Sequence, residues 1–287
     1  MELFGRKVRL HVENLEGTGA SQGVTIEDLN VEYTIERNVR LEPNVMRALV
    51  FNLSEETRSK LEKPTPMVAT LSAGYGEPHD LFVGDIRSVR HRRAGPNLIT
   101  EIEAGDGELE ANVWARRSFP VGTGIDNVFT YLVNKISAGQ RREIALGRGN
   151  IGNAVGIYES NGIPTTLKHG LHVRGYAVDE LHKLCDSRGV ELSIQNRKVQ
   201  VLEYGKGLDE GTVPKVTPTS GLVGAPTIDN DGILSANLRL IPNVFPGSLI
   251  DVESDFIKGG RFKVLRTLYT GSLYGSEFNI EIEAQQQ

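Results

Sequence analysis

The clearest signal along the chain is strict alternation. Leu29, Val31, Tyr33 and Ile35 are apolar, and Asn30, Glu32, Thr34 and Glu36 between them are polar. A period of two marks a strand with one buried face. Val8, Leu10 and Val12 alternate in the same way with Arg9 and His11. Met46–Leu53, Val68–Tyr75, Leu81–Arg90 and Leu98–Ala104 complete a set of six predicted strands. Glu16–Gly23 reads as a loop, Pro43-Asn44 as a turn and His91–Asn97 as a hairpin loop. Ser54 followed by Glu55 and Glu56 has the chemistry of a helix N-cap and first turn, with Leu61 as the only apolar anchor. That predicts a short surface helix ending before Pro64. Six strands and one short helix in about 105 residues suit a small barrel or sandwich.

The period then changes. Thr123 is placed to cap a helix in which Ile125, Val128, Phe129, Leu132, Val133 and Ile136 follow helical spacing. Arg141–Gly162 is rich in glycine and reads as a loop, and Thr166–Val173 as a strand. Ala177–Ser187 predicts a second helix, with Val178, Leu181, Leu184 and Cys185 on one face and Gly189 as its stop. Val190–Ile194 and Lys198–Leu202 form a hairpin around Asn196-Arg197. Gly205–Gly221 reads as a linker, after which strands resume at Ile233–Leu240, Leu249–Glu253, Arg261–Tyr269 and Glu277–Glu283.

Two segments recur. Leu98–Ala104 (Leu-Ile-Thr-Glu-Ile-Glu-Ala) returns as Phe278–Ala284 (Phe-Asn-Ile-Glu-Ile-Glu-Ala). Arg40–Val45 (Arg-Leu-Glu-Pro-Asn-Val) returns as Arg239–Val244 (Arg-Leu-Ile-Pro-Asn-Val). Two echoes in the same order predict two related β-modules, residues 1–107 and 211–287, around a small α+β domain at 108–210.

Composition narrows the classes. The chain has 287 residues, enough for two or three domains, and 39% hydrophobic content is enough for real cores. A net charge of -5 argues against a general nucleic-acid binder. A single cysteine, Cys185, excludes an intrachain disulfide framework. Met1–Leu10 has no continuous apolar core, and no stretch approaches the ~18 apolar residues of a membrane span. A chain folded in a cytoplasm, with no membrane anchor, is expected.

Each candidate for chemistry competes with a structural explanation. Gly147-Arg148-Gly149-Asn150-Ile151-Gly152 matches G-x-G-x-x-G. It lacks the strand before and the helix after that a dinucleotide fingerprint needs, so a plastic loop is expected, tolerant of Ala at Gly147 and Gly149. His169-x-x-His172 and His182-x-x-Cys185 have zinc-like spacing. The two strand histidines would diverge, and Cys185 would face an apolar core, so no stoichiometric zinc is expected. Glu101/Glu103 and Glu281/Glu283 read as a solvated sheet face before they read as a glycosidase pair. No Gly-x-Ser-x-Gly elbow occurs. Arg87, Arg90, His91, Arg92 and Arg93 lack interleaved aromatics and suit a protein contact or a solvated hairpin tip better than bound nucleic acid. No catalytic, cofactor-binding or metal residue is assigned, and no cofactor is expected.

The segment Arg47–Glu62 (Arg-Ala-Leu-Val-Phe-Asn-Leu-Ser-Glu-Glu-Thr-Arg-Ser-Lys-Leu-Glu) resembles the first module of phage tail baseplate hub proteins. So do Ala73-Gly74-Tyr75, Phe82-Val83-Gly84-Asp85-Ile86 and Glu103-Ala104-Gly105-Asp106-Gly107. Further on, Ser118-Phe119-Pro120, Gly122-Thr123, Gly221–Pro226, Phe245-Pro246-Gly247 and Glu281–Ala284 follow the same order. The resemblance covers most of the chain and is weakest in Arg141–Gly162. It implies two tail-tube-like β-barrels and a virion hub, a homotrimer that joins a hexameric tail tube to a trimeric central spike. It implies contacts with the tail tube protein or a distal tube ring, the spike, the tape measure protein and other baseplate proteins. DNA would pass through its channel unbound during genome ejection, and no catalysis is implied. An equivalent hub of a phage-derived contractile particle is the nearest alternative; a cell-wall-degrading tail enzyme and a small-molecule or nucleotide-binding domain are the others.

Overall fold

The structure is a computed structural model that describes residues 5–14, 23–40, 42–62, 67–106, 113–145, 166–187, 189–196, 198–208 and 213–287. It is mainly β. The strands are β1 (Arg6–Asn14), β2 (Val24–Ile26), β3 (Val31–Asn38), β4 (Asn44–Phe51), β5 (Met67–Tyr75), β6 (His79–Ala94), β7 (Asn97–Asp106), β8 (Trp114–Phe119) and β9 (Leu171–Tyr176). They continue with β10 (Val190–Gln195), β11 (Lys198–Glu203), β12 (Lys215–Val216), β13 (Leu222–Ile228), β14 (Ile233–Arg239), β15 (Leu249–Val252), β16 (Arg261–Ser272) and β17 (Phe278–Gln286). The helices are α1 (Glu55–Leu61), α2 (Ile125–Ala145) and α3 (Ala177–Asp186).

Thirteen strands join into one sheet in the order β13-β14-β17-β16-β3-β4-β7-β6-β5-β1-β2, with β15 beside β16 and β12 beside β15. A repeat runs through it. β3-β4-β7-β6-β5 and β13-β14-β17-β16-β15 have the same order, and every pairing within each unit is antiparallel. The registers coincide as well. Met46 and Ala48 face Ala104 and Ile102, as Leu234 and Ala236 face Ala284 and Ile282. Both hairpins carry a bulge at the same place. Arg87 is the extra residue opposite Glu103-Ala104, and Leu265 is the extra residue opposite Glu283-Ala284. The Glu-Ile-Glu-Ala echo therefore marks two equivalent strands.

The second echo does not. Asn44 is buried at the start of β4, whereas Asn243 sits in a loop at φ 64° after β14. Arg40–Val45 leads into its unit's second strand, and Arg239–Val244 leads out of it, so that match is coincidental. Other expectations shift too. Pro43-Asn44 is not a turn, because Asn44 already pairs with Asp106. The hairpin loop expected at His91–Asn97 shrinks to Gly95-Pro96, since pairing persists to Ala94↔Asn97. The helix expected to end before Arg141 runs to Ala145. The strand expected at Thr166–Val173 lies at Leu171–Tyr176, with Thr166 in an isolated bridge to Gly124. β2, β8, β12 and β13 were not legible: β2 and β12 are only three and two residues long, Arg116 and Arg117 interrupt β8, and Gly224 and Pro226 interrupt β13. α1 forms as expected: the Ser54 side chain accepts from the Thr57 N–H, and Leu61 is its buried residue.

One core spans both units, from Val8 and Tyr33 through Met46 and Ile102 to Leu238, Tyr269 and Ile282. Phe278 of the second unit packs edge-on against Tyr33 and Tyr75 of the first, at 6.3 and 5.2 Å between ring centres. A separate cluster joins α2, α3, β8, β9 and β10 through Phe119, Val128, Leu132, Leu181 and Cys185.

Candidate assembly surfaces

Alternation in the shared sheet leaves a second, polar face. β3 contributes Glu32, Thr34 and Glu36, all at least partly exposed while Val31, Tyr33 and Ile35 are buried. Arg47, Glu101, Glu103, Arg266, Glu281 and Glu283 lie on the same face. Arg47 Nε bonds Glu101 Oε1 at 2.7 Å. That hydrogen bond, ahead of charge alone, holds the Glu101 carboxyl below the usual carboxylate range. Glu101/Glu103 and Glu281/Glu283 are therefore members of an interspersed charged surface. Each pair lies along a single strand, β7 or β17, and does not face across a cleft.

The two units meet where β16 pairs with β3, from Arg266↔Asn38 to Ser272↔Glu32. Arg266 fastens this junction on the polar face. Its Nη2 donates to Glu36 Oε1 at 2.7 Å and its Nη1 to Glu283 Oε1 at 3.0 Å. Both bonds raise its pKa, the one to Glu36 most. Gly271 is required here, because a Cβ would lie 2.3 Å from the Tyr33 ring.

The hairpin β10–β11 braces the junction from the core side. Gln195 Oε1 accepts from Arg37 Nε and Nη2 at 3.2 and 3.0 Å, and its Nε2 donates to the Asn38 carbonyl at 2.6 Å. Asn44 Nδ2 donates to the Ile194 carbonyl at 2.9 Å, and Arg37 Nη1 to the Leu81 carbonyl at 2.8 Å. Glu191 of the hairpin pairs with the fully buried Lys263 of β16. Arg37, Asn44 and Gln195 are almost wholly buried, so each polar group needs these partners. A cleft of about 240 Å³ beside them is lined by Arg37, Asp80, Gln195, Asn243 and Tyr269. Asp80 is bound to Ser72 Oγ, so both its charges already hold the fold together. Sequence reasoning missed this brace and Arg266; Arg37 could have been noticed as a charge in the core-facing series Val31, Tyr33, Ile35.

The remaining sequence candidates disperse. Gly147–Gly152 lies outside the described residues. His172 Nδ1 is 2.7 Å from Ser118 Oγ, and His182 Nδ1 is 3.3 Å from Asp186. Cys185 is fully buried, which pushes its thiol up to about 12. Among the described residues no group of three or more His, Cys, Asp and Glu is arranged to hold a metal ion. No described helix is long and apolar enough to cross a membrane. Arg90 and Arg92 stand exposed on β6, on the polar face opposite Glu101 and Ile99.

Several edges of the shared sheet have no described partner strand, the outer sides of β2 and β12 among them. Beyond Asp85, β6 leaves the side of β5, and no described strand pairs with its Ser88–Ala94 edge on that side. β13 pairs only with β14, leaving its outer edge without a described strand.

No protein-family model matches the chain, and no curated protein matches it. Solved structures do. A tail protein from Neisseria meningitidis MC58 is similar at TM-score 0.64 and 11% identity, covering 99% of this chain and 97% of that one. The 43 kDa tail protein of prophage MuSo2 from Shewanella oneidensis is similar at TM-score 0.61 and 9% identity, covering 98% of each. The E. coli c3393 protein is similar at TM-score 0.55 and 11% identity, covering 91% of this chain and 74% of that one. It is a type VI secretion component described as similar to T4 tail proteins gp27 and gp5. At these identities the likeness is one of fold.

Proposed function

We propose that this chain, whose fold is that of phage tail proteins, is the structural hub of a tail baseplate. It joins a hexameric tail tube to a trimeric central spike and forms part of the channel. The observation that carries this reading is the internal repeat: two five-stranded units with the same order, registers and bulge lie side by side in one sheet. A homotrimer would present six such units to a six-fold tube and keep three-fold symmetry for a spike, reconciling the two without a third kind of interface. In this reading residues 1–107 and 211–287 supply tube-like barrel modules, and residues 108–210 form an α+β domain on the outside. The polar face, with Glu32, Glu36, Glu101 and Glu283 interspersed with Arg47 and Arg266, lines the channel. It offers no unbroken basic stripe, so DNA passes without being held. The tail tube protein or a distal tube ring, the spike, the tape measure protein and other baseplate proteins are the partners. The location is the virion tail, assembled in the host cytoplasm.

An equivalent hub in a phage-derived or type VI-like contractile particle is the second reading, favoured by the similarity to the c3393 protein. Imaging of the particle that contains this chain tests both. Three copies contributing six units beside the tube are expected. Six copies per ring, or three copies contributing one unit each, would overturn the hub. Turnover of peptidoglycan by the purified chain would replace it with an enzymatic reading.

A further inference from the structure

We infer that the outward face of the β8–β9 ribbon is a docking surface for an acidic, extended segment of a partner protein. The inference does not depend on the hub reading, and it gives the region around α2 and α3 a contact of its own.

The register sets out this face. Trp114 lies opposite Tyr176, Arg116 opposite Arg174 and Ser118 opposite His172. Directly opposed residues, and those two positions along, share one side of an antiparallel pair. All of these side chains are exposed. The other side carries Ala115, Phe119 and Val173, which are buried in the helical cluster. Trp114 and Tyr176 stay 56% and 44% exposed, with their rings edge-on at 5.3 Å. Among the described residues no third strand joins the ribbon.

The charge on this face is unbalanced. Like charges directly opposed across a strand pair destabilise it. Neither Arg116 nor Arg174 forms an ion pair with a described residue. Residues 113–119 and 166–176 hold Arg116, Arg117, Lys168 and Arg174 and no Asp or Glu, in a chain of net charge -5. Arg117 is taken up on the other side, over the Phe119 and Tyr131 rings at 5.0 and 5.1 Å. Glu180 of α3 packs over Gly175 on that side too, where it accepts from Lys183 at 2.7 Å. The outward face is left with two aromatic rings beside two cations. Trp, Tyr and Arg are the residues that dominate binding energy in protein interfaces. An extended segment would set an apolar side chain on the rings. Its carboxylate two positions along would then lie between the arginines, where charge-assisted bonds relieve their repulsion. Protein fits this face better than nucleic acid. The cations form one pair and not a groove that follows a phosphate backbone, and edge-on rings are no platform for stacking successive bases.

Trp114 is the single tryptophan of the chain, so its fluorescence reports occupancy directly. The test titrates the full chain with a short tryptophan-free peptide carrying leucine and glutamate two positions apart. A saturable blue shift is expected with a Kd below about 1 mM, and binding at least about tenfold weaker when lysine replaces the glutamate. Arg116→Glu and Arg174→Glu should each weaken the acidic peptide by at least about tenfold. Lys258→Glu, an equal charge change at an exposed site outside the ribbon, should not. Each ribbon variant should also raise the urea midpoint of the free chain, because a cation then faces a carboxylate. A fall in the midpoint would show that the arginines hold the fold, and would overturn the inference. So would no saturation up to about 1 mM, equal binding of the acidic and basic peptides, or an affinity unchanged by the two ribbon variants. A single-stranded oligonucleotide that shifts Trp114 at lower concentration than the peptide would replace it with a nucleic-acid surface.

Discussion

At the scale of single residues, burial decides more than chemistry. Cys185 is the only thiol, and it is packed with Val178 and Leu181 in the helical cluster. Burial first, and Asp186 second, push its pKa up to about 12. An unfolded thiol ionises near 8.5. Between those values the unfolded chain binds fewer protons than the folded one, so this residue's contribution to stability falls as pH rises. The stability advantage of the native chain over Cys185→Ala should be flat from pH 6 to 8. Above roughly pH 9 it should shrink by up to ~1.4 kcal/mol per pH unit. Urea midpoints of the two proteins across that range check this; a constant difference to pH 10.5 would show that the thiol is solvated. The burial of Cys185 was legible, because its spacing from Val178 and Leu181 places it on one helix face. The need for glycine at position 271 was not. Its constraint comes from Tyr33, far away in sequence and brought close only by the junction of the units.

At the scale of elements, alternation predicts strands well and their ends poorly. β6 continues through His91-Arg92-Arg93 because cross-strand pairing with β7 outweighs the polar composition that suggested a loop. α2 continues past Arg141 because arginine and glutamate are good helix formers, and the first glycine after Gly139 is Gly147. β13 escaped notice because Gly224 and Pro226 break its alternation at an irregular, one-sided edge. The hairpin β10–β11 was legible as a hairpin, but its purpose was not, since its Gln195 partners are Arg37 and Asn38 of a distant strand. Gln195→Ala leaves the buried Arg37 guanidinium and the Asn38 carbonyl short of partners. It should cost about 3 kcal/mol, the scale for orphaning buried charged and polar groups. Gln195→Glu would instead restore the acceptor and add a charge beside Arg37. Chemical denaturation should rank the native chain first, Gln195→Ala last, and Gln195→Glu between them. A loss under 1 kcal/mol for the alanine variant would mean the brace contributes little.

For the whole molecule, the sheet and the core give opposite impressions of how divisible the chain is. The echo of Glu-Ile-Glu-Ala and the shared strand order suggest two modules, each capable of standing alone. The core does not divide that way. Val8, Tyr33, Phe278 and Ile282 belong to one cluster, and Arg6 of β1 reaches the Ser272 and Gly275 carbonyls and lies 5.1 Å from the Phe278 ring centre. Cutting the chain between the units would strip β3 of its partner β16 and bare the Tyr33 and Tyr75 rings. An unpaired edge flanked by exposed aromatic surface favours aggregation over independent folding. The two units should therefore unfold as one, while the cluster around α2 and α3, with its own core, can open separately. Native-state hydrogen exchange provides the measurement. Amides of β3, β4, β16 and β17 should share one opening free energy, and those of α3 should exchange by a lower, distinct one. If residues 1–107 made alone gave a cooperative transition with protected β3 amides, the junction would be a contact between finished modules. If the two units fold only together, the β16–β3 junction forms as part of the fold of the single chain.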